Sequence, residues 1–175
     1  MKHRLAVGIT GLTQARAEFQ RAHQRAKFRG VMDRLLRRCG SLCSLRDAAE
    51  EAGRELAGTA VMTDANGRAH FIPGVARRRE VDLDMIIGSL DRPEDYTADF
   101  LPRLGSDEER WARVRLALDS LEGVPPIELY DYDGEFYVKD GHHRVSVMKR
   151  MGFKRVEAYV TRLVPVRREG DALLS

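Results

Sequence analysis

The chain has 175 residues, of which 43% are hydrophobic and 33% are charged, and its formal net charge is +3. This length suits one globular domain with a helical extension and excludes an assembly of several large domains. The longest apolar runs, such as residues 85–87, are far shorter than a bilayer span, and the N-terminus lacks the apolar stretch of a signal peptide. We therefore expect a cytoplasmic protein without membrane contact.

Charged residues are segregated along the chain. Residues 14–40 hold eight Arg or Lys residues against two acids, and residues 80–123 hold twelve acids against five arginines. Residues 149–168 then hold seven bases against one acid. Two explanations stay open, because the segments can neutralise one another within the fold or the basic faces can bind phosphates.

The first predicted element is a long basic helix from Thr13 to Cys39. Phe19, Ala22 and Ala26 form an apolar stripe at helical spacing. A shifted stripe continues it and consists of Phe28, Met32, Leu35 and Cys39. The glycine at position 30 is a point at which this helix would bend or break.

The segment from residue 45 to residue 87 contains patterns typical of a helix and patterns typical of strands. Residues 45–56 predict a second helix, and the pair Asn66-Gly67 between short apolar runs predicts a tight hairpin over residues 61–72. Apolar residues alternate from Val81 to Ile87, which indicates a strand or a strand-to-helix junction.

The last half of the chain begins with a clear helix signal. Ser106 and Glu109 form a capping box, and Trp111, Val114 and Leu118 follow at helical spacing.

A hairpin, a helix and a strand are predicted to follow. Two alternating runs, residues 127–132 and 135–139, flank the turn pair Asp133-Gly134. Residues 142–151 then fit a short helix with a glycine cap, and residues 156–160 alternate as a further strand.

Reactive side chains concentrate in the turn between that hairpin and that helix. Free amides and the positive dipole end at a helix N-terminus form an anion site, and a glycine lets a phosphate approach the backbone closely. A guanidinium adds a bidentate contact, and imidazoles donate hydrogen bonds or carry charge. The residues predicted to bind phosphate or nucleotide are Gly141, His142, His143, Arg144 and Ser146. The candidate catalytic residues are Asp140, His142, His143 and Glu80.

The same turn has a purely structural explanation. Asp140 would cap the helix, Gly141 would make the turn, and the two histidines would lie on the surface.

No metal site formed by the protein alone is expected. Cys39 and Cys43 are too few for zinc without histidines, and adjacent histidines on a helix point about 100° apart. Asp82 is a candidate partner for Mg²⁺ carried by a nucleotide, and Glu80 a candidate base. The Walker, dinucleotide-binding and Gly-x-Ser-x-Gly motifs are absent from the sequence.

The C-terminal motifs resemble a known superfamily. Residues 125–127, the run Tyr-Val-Lys-Asp-Gly-His-His-Arg-Val-Ser-Val at 137–147, and residues 152–160 are similar to the core of the ParB/sulfiredoxin superfamily. Residues 81–89 and 99–103 resemble a subgroup of small ParB-like nuclease-domain proteins that begin with an arginine-rich helical arm.

The resemblance implies an α+β fold, with a small mixed sheet flanked by helices and an N-terminal helical arm. It implies a basic arm over residues 1–57, a ParB/sulfiredoxin-like domain over 58–165 and a tail over 166–175. In that superfamily the Gly-x-x-Arg turn, here Gly141 to Arg144, binds nucleotide phosphates. The Asp-Gly-His-His-Arg form is similar to members that resemble free-serine kinases.

Departures from better-known members limit what the resemblance implies. Sulfiredoxins carry their nucleophilic cysteine where His142 stands, so sulfinic-acid reductase activity is not expected. Chromosome-partitioning ParB proteins carry Glu-Arg at 142–143 and continue into a helix-turn-helix and a dimerisation domain, whereas about fifteen residues follow Val160 here.

Three hypotheses follow. The first is a domain that binds a nucleoside di- or triphosphate with Mg²⁺ and hydrolyses or transfers a phosphoryl group. The second is a DNA- or RNA-binding module with nuclease activity, which would use the basic arm from Arg16 to Arg38 and the run 77–79. The third is a non-catalytic binding protein whose arm contacts a partner or a second copy in a homodimer.

Overall fold

The computed structural model describes residues 2–35, 43–44, 71–120 and 123–165. The predicted helix over residues 45–56 lies outside this part of the chain, as does most of the predicted hairpin over 61–72. The proposed domain boundaries at 57/58 and 165/166 also involve residues outside it, so they stay predictions.

Helix α1 runs from Lys2 to Leu35, so it begins earlier than predicted and continues through Gly30. The predicted stripe is confirmed, because Phe19, Ala22 and Ala26 are buried. Its predicted continuation is wrong for the residues with described side chains, since Phe28 is 70% exposed and Met32 is 38% exposed.

In the described part of the chain, seven strands form one mixed sheet. Their bounds are β1 Cys43–Ser44, β2 Phe71–Pro73, β3 Arg77–Asp82, β4 Ile86–Ser89, β5 Ile127–Tyr132, β6 Glu135–Asp140 and β7 Arg155–Pro165. The strand order is β1-β4-β6-β5-β7, and β2 and β3 both pair with the remaining edge of β7. β4 runs parallel to β6, so both strands end at the same edge of the sheet.

The predicted hairpin is confirmed in β5 and β6, which pair antiparallel. Asp133 and Gly134 both have positive φ, as a two-residue turn with the right twist requires. Upstream, β3 and β4 are separated by a 3-10 turn over Leu83–Met85. This turn interrupts the predicted alternation, and it leaves Met85 about half exposed while Ile86 is buried.

Helix α2 spans Glu108–Leu118 and follows a 3-10 turn over Gly105–Asp107. The predicted capping box is wrong, because the N-cap residue is Asp107 and Ser106 lies inside the preceding turn. The predicted spacing is confirmed by Trp111, which is buried between α1 and the rest of the domain and makes an edge contact with Phe19.

Helix α3 spans His142–Met151, as predicted, and ends at Gly152 in the left-handed conformation. Its buried face packs on the sheet, where Val145 and Met148 join one core with Ile127, Leu129 and other strand residues. On another face Val147 contacts the cluster of Phe19 and Trp111 and so links α3 to the helical layer.

The predicted α+β class, with a small mixed sheet, flanking helices and an N-terminal helix, is therefore confirmed. Within the described ranges, no helix combines the length and the apolar character that crossing a bilayer would require.

Candidate functional site

Gly141 makes the turn that joins β6 to α3. Its φ of +106° lies in the left-handed region, which disfavours any residue with a side chain. A Cβ at this position would also lie 2.5 Å from Ile127 Cγ2. Both conditions require glycine, so the backbone at the start of α3 is set by a close approach to β5.

No described side chain caps the first turn of α3. The amide groups of His142, His143 and Arg144 have no acceptor within the helix, which leaves them suited to an anion. Asp140 does not cap the helix, so this part of the structural explanation for the turn is wrong.

A pocket of about 190 Å³ opens at this end of the helix. Three guanidinium groups and one carboxylate contribute to its lining. The lining residues are Arg92, Arg110, Val114, Asp140, Gly141, His142, His143 and Arg144. Four of the five residues predicted to bind phosphate therefore lie at one pocket, together with the predicted catalytic Asp140.

Arg144 is held by its own chain. Its Nη1 donates hydrogen bonds to the carbonyl oxygens of Pro125 (2.8 Å) and Pro126 (2.7 Å), and its Nη2 donates to Asp140 Oδ2. Only 14% of this side chain is exposed. The expectation of an open guanidinium that clamps a phosphate is thus corrected, because these bonds anchor α3 to the segment that leads into β5.

His142 is a buried residue and not a surface one. A 2.7 Å hydrogen bond joins its Nε2 to Ser89 Oγ, and its ring stacks on Tyr96 at a centroid distance of 5.8 Å. Burial, assisted by the positive charge of Arg92, lowers the pKa of His142 to about 4. The imidazole is therefore neutral at pH 7 and adds no positive charge to the pocket.

His143 lies between Tyr96 and Asp107. Its Nδ1 is 2.8 Å from the Tyr96 hydroxyl, and its Nε2 is 3.9 Å from Asp107 Oδ1, too far for a hydrogen bond. Burial lowers the pKa of His143, although the Asp107 carboxylate acts in the opposite direction. Burial also raises the pKa of Tyr96, which keeps that hydroxyl protonated.

Two arginines of the pocket were not singled out from the sequence. Arg92 follows β4, where its backbone amide donates to Ser89 Oγ and its side chain bonds to Asp95. Arg110 lies on the exposed face of α2, and it makes no ion pair with any described residue. Neither arginine belongs to a local motif, because the chain brings them to the pocket from two other elements.

Ser146 is not part of the pocket. Its hydroxyl is completely buried and accepts a 3.0 Å hydrogen bond from Trp111 Nε1. The predicted contact of this hydroxyl with phosphate is therefore corrected, since the helix turns Ser146 toward α2 and away from its own N-terminus.

Glu80 and Asp82 are also remote from the pocket. Both lie on β3, which is separated from β6 by β5 and β7, a distance of about 14 Å at ordinary strand spacing. Glu80 pairs instead with Arg155 at 3.3 Å. The candidate roles as base and as magnesium partner are corrected for these two residues, and Asp140 is the carboxylate that lines the pocket.

Two of the three arginines at 77–79 interact with other residues of the fold. Arg78 pairs with Glu157 at 2.6 Å, and the Arg79 guanidinium lies 4.9 Å from the centre of the Phe136 ring. Among the described residues, no three His, Cys, Asp or Glu side chains come together to hold a metal ion. Cys39 lies outside those residues, and the side chain of Cys43 is not described.

Comparison with known proteins finds similarity among solved structures. No family model matches the chain, and no curated protein sequence matches it. Among solved structures, a sulfiredoxin from Arabidopsis thaliana is similar at 18% identity and a TM-score of 0.37, covering 48% of this chain and 83% of that one. At this TM-score, neither the fold nor the activity of that sulfiredoxin is carried over to this chain.

Proposed function

We propose that this protein binds the terminal phosphate of a nucleotide in the pocket at the N-terminus of α3. The observation that carries the proposal is the convergence, on one concave surface, of a helix end and of Arg110, for which the described residues supply neither a side-chain cap nor an ion-pair partner. The Arg92 and Arg144 side chains add positive charge but are braced by their own hydrogen bonds. Such bracing supports an anion site, because fixed donors lose little freedom when the ligand arrives.

The pocket size limits what enters it. Small-molecule sites commonly measure about 300–1,000 Å³, so a 190 Å³ pocket is small for a whole nucleotide. A phosphate or diphosphate group would fit inside, and the sugar and base would lie outside over exposed surface. The proposal therefore does not specify a base.

Magnesium would enter with the nucleotide. Mg²⁺ in proteins commonly uses one or two carboxylates together with phosphate oxygens. Asp140 suits this role because its side chain is 68% exposed and lies at the pocket. Hydrolysis or transfer would be a further step, with Asp140 or His143 as the group that accepts a proton.

Isothermal titration with ADP, ATP and pyrophosphate, with and without Mg²⁺, tests the proposal. We expect Arg110→Met to weaken binding at least about tenfold, because it removes a charged contact from the pocket. Arg113→Met is the matched control, since Arg113 lies on the same helix, is exposed and pairs with Glu109 outside the pocket.

Equal affinities of wild type and Arg110→Met would reject the site. Arg144→Ala should also weaken binding, because it removes positive charge from the pocket and the anchor of α3, but its effect is read only after circular dichroism has shown that the variant is folded. Release of inorganic phosphate, measured in the same samples and lost in Asp140→Asn, would extend the proposal from binding to catalysis.

A further inference from the structure

A second and larger cavity lies at the opposite end of α3. It measures about 910 Å³ and is bounded by α1, by the loop before α2, and by the segment that joins α3 to β7. We call it the basic trough, after the six Arg and Lys residues in its lining. These are Arg21, Arg25, Arg29, Lys149, Arg150 and Lys154.

Among the residues that the structure describes, the positive charge in the basic trough is only partly compensated. Two acids also line it, and one of them, Asp99, is paired with Arg29. In the described part of the chain, Arg21, Arg25 and Arg150 form no ion pair. Burial together with the charges of Arg25 and Arg21 lowers the pKa of Arg150, so these guanidinium groups repel one another.

Aromatic side chains accompany this charge. Phe28 from α1 is 70% exposed and Phe153 from the segment before β7 is 41% exposed, and both line the trough. The sequence pattern predicts Phe28 on an apolar stripe. The structure places this ring on the surface instead, and an exposed phenyl ring beside arginines is available to stack on a planar group.

The arginines of α1 form a regular row. Arg21, Arg25 and Arg29 recur every four residues, so they share one face of the helix and are spaced about 6 Å apart along its axis. Beyond Arg21 and Arg25 a further cavity of about 510 Å³ continues the surface. Arg150 also lines it, and so do Arg115 and Glu18, which pair with each other. The result is an elongated positive surface suited to a chain of regularly spaced negative charges.

We propose that the basic trough binds a short segment of single-stranded nucleic acid. The phosphates would contact the arginine row and Arg150, and unpaired bases would stack on Phe28 and Phe153. An acidic peptide would match the charge but would leave the two rings without planar partners. A duplex would keep its bases stacked inside and present none to the rings.

This proposal does not depend on the nucleotide pocket. The two surfaces lie at opposite ends of a ten-residue helix, which is about 15 Å long. Failure of one proposal therefore leaves the other standing, provided that the variants are chosen from one end at a time.

Fluorescence anisotropy of the full chain with a labelled oligothymidylate, at several salt concentrations, tests the trough. We expect Arg25→Gln to weaken binding several-fold and to reduce the slope of log affinity against log salt by about 0.7, which is one lost phosphate contact on a single strand. Arg113→Gln serves as the control, because it removes an exposed arginine of α2 outside the trough.

Phe28→Ala provides an independent signature. It should weaken binding about tenfold through lost stacking and leave the salt slope unchanged, since no charge is removed. Phe28 is exposed, so we expect this variant to fold, and its thermal melting curve checks that expectation.

Each of the following outcomes would overturn the proposal. They are the absence of binding at low salt, equal affinity for a duplex of the same sequence, equal affinity for polyglutamate, and an unchanged affinity in Phe28→Ala. Loss of strand binding in Arg110→Gln with retention in Arg25→Gln would likewise overturn it, because the strand would then occupy the pocket at the other end of α3.

Discussion

Both ends of helix α3 carry positive charge, but they hold it in different ways. At the N-terminal end, Arg92 and Arg144 are fixed by carboxylates and backbone carbonyls around a pocket of about 190 Å³. At the C-terminal end, Arg25 and Arg150 lie in a cavity of about 910 Å³ and have no ion-pair partner in the described chain.

This difference shows that an arginine acquires its role from the acceptors around it. Braced guanidinium groups define a rigid, compact surface, which suits a single phosphate group. Unbraced groups repel one another and adapt their positions, which suits an extended polyanion. Three stability experiments test whether the two ends of the helix differ in this way.

The largest expected effect concerns the glycines at the two ends of α3. Gly141→Ala should lower the free energy of unfolding by about 3 kcal/mol or more, because the new Cβ combines an unfavourable φ with a clash against Ile127. Gly152→Ala has a similar positive φ but open space around the Cβ, so it should cost only about 1–2 kcal/mol. Urea unfolding measures both, and equal costs would contradict the close packing at the N-terminal end.

The second effect concerns His142 and pH. The pKa of about 4 in the folded protein lies below the unfolded value of 6.5, so the unfolded chain binds the extra proton as pH falls through this window. The contribution of the neutral, buried His142 to the free energy of unfolding is complete above pH 6.5. About 3 kcal/mol of this stability is lost as the pH falls to about 4. Unfolding free energies of wild type and His142→Gln should converge over this range, and parallel curves would show that His142 is not buried as described.

The smallest effects separate a braced arginine from an unbraced one. Arg144→Met should cost about 2 kcal/mol, because it leaves the carbonyls of Pro125 and Pro126 without their donor. Arg25→Met should change stability little, and added salt should stabilise the wild type more than the variant by screening the repulsion from Arg21 and Arg150. Thermal melts at low and high salt give both values, and a large loss in Arg25→Met would mean that it is braced as well.

Local sequence rules served best where neighbouring residues specify the backbone. The hairpin of β5 and β6 follows from the pair Asp133-Gly134, and α3 follows from apolar spacing and the glycine after it. The rules failed at Ser106, where a serine followed three residues later by Glu109 suits a helix cap. The chain instead forms a 3-10 turn before α2 begins. Both cap and turn satisfy the same local pattern, so the choice between them depends on packing.

The candidate site was predictable in part for a similar reason. Gly141, His142 and His143 are consecutive, so one helix start brings them to the same pocket. Arg92 and Arg110 come from other elements, and no local spacing relates them to that helix. Ser146 was wrongly assigned to the phosphate site because it lies close in sequence to His142 and His143. That closeness does not tell which face of the helix packs against Trp111.

Residue order alone predicts the helices, hairpin and strand of the last half of the chain, the tight turn after β6 and the concentration of basic residues in α1, because these depend on short-range sterics and on simple counts. Whether a given arginine is braced or available, and whether Phe28 is core or surface, depends on which distant residues come within a few ångströms. That arrangement arises only when the sheet and helices pack, since burial and hydrogen-bond partners are properties of the assembled chain.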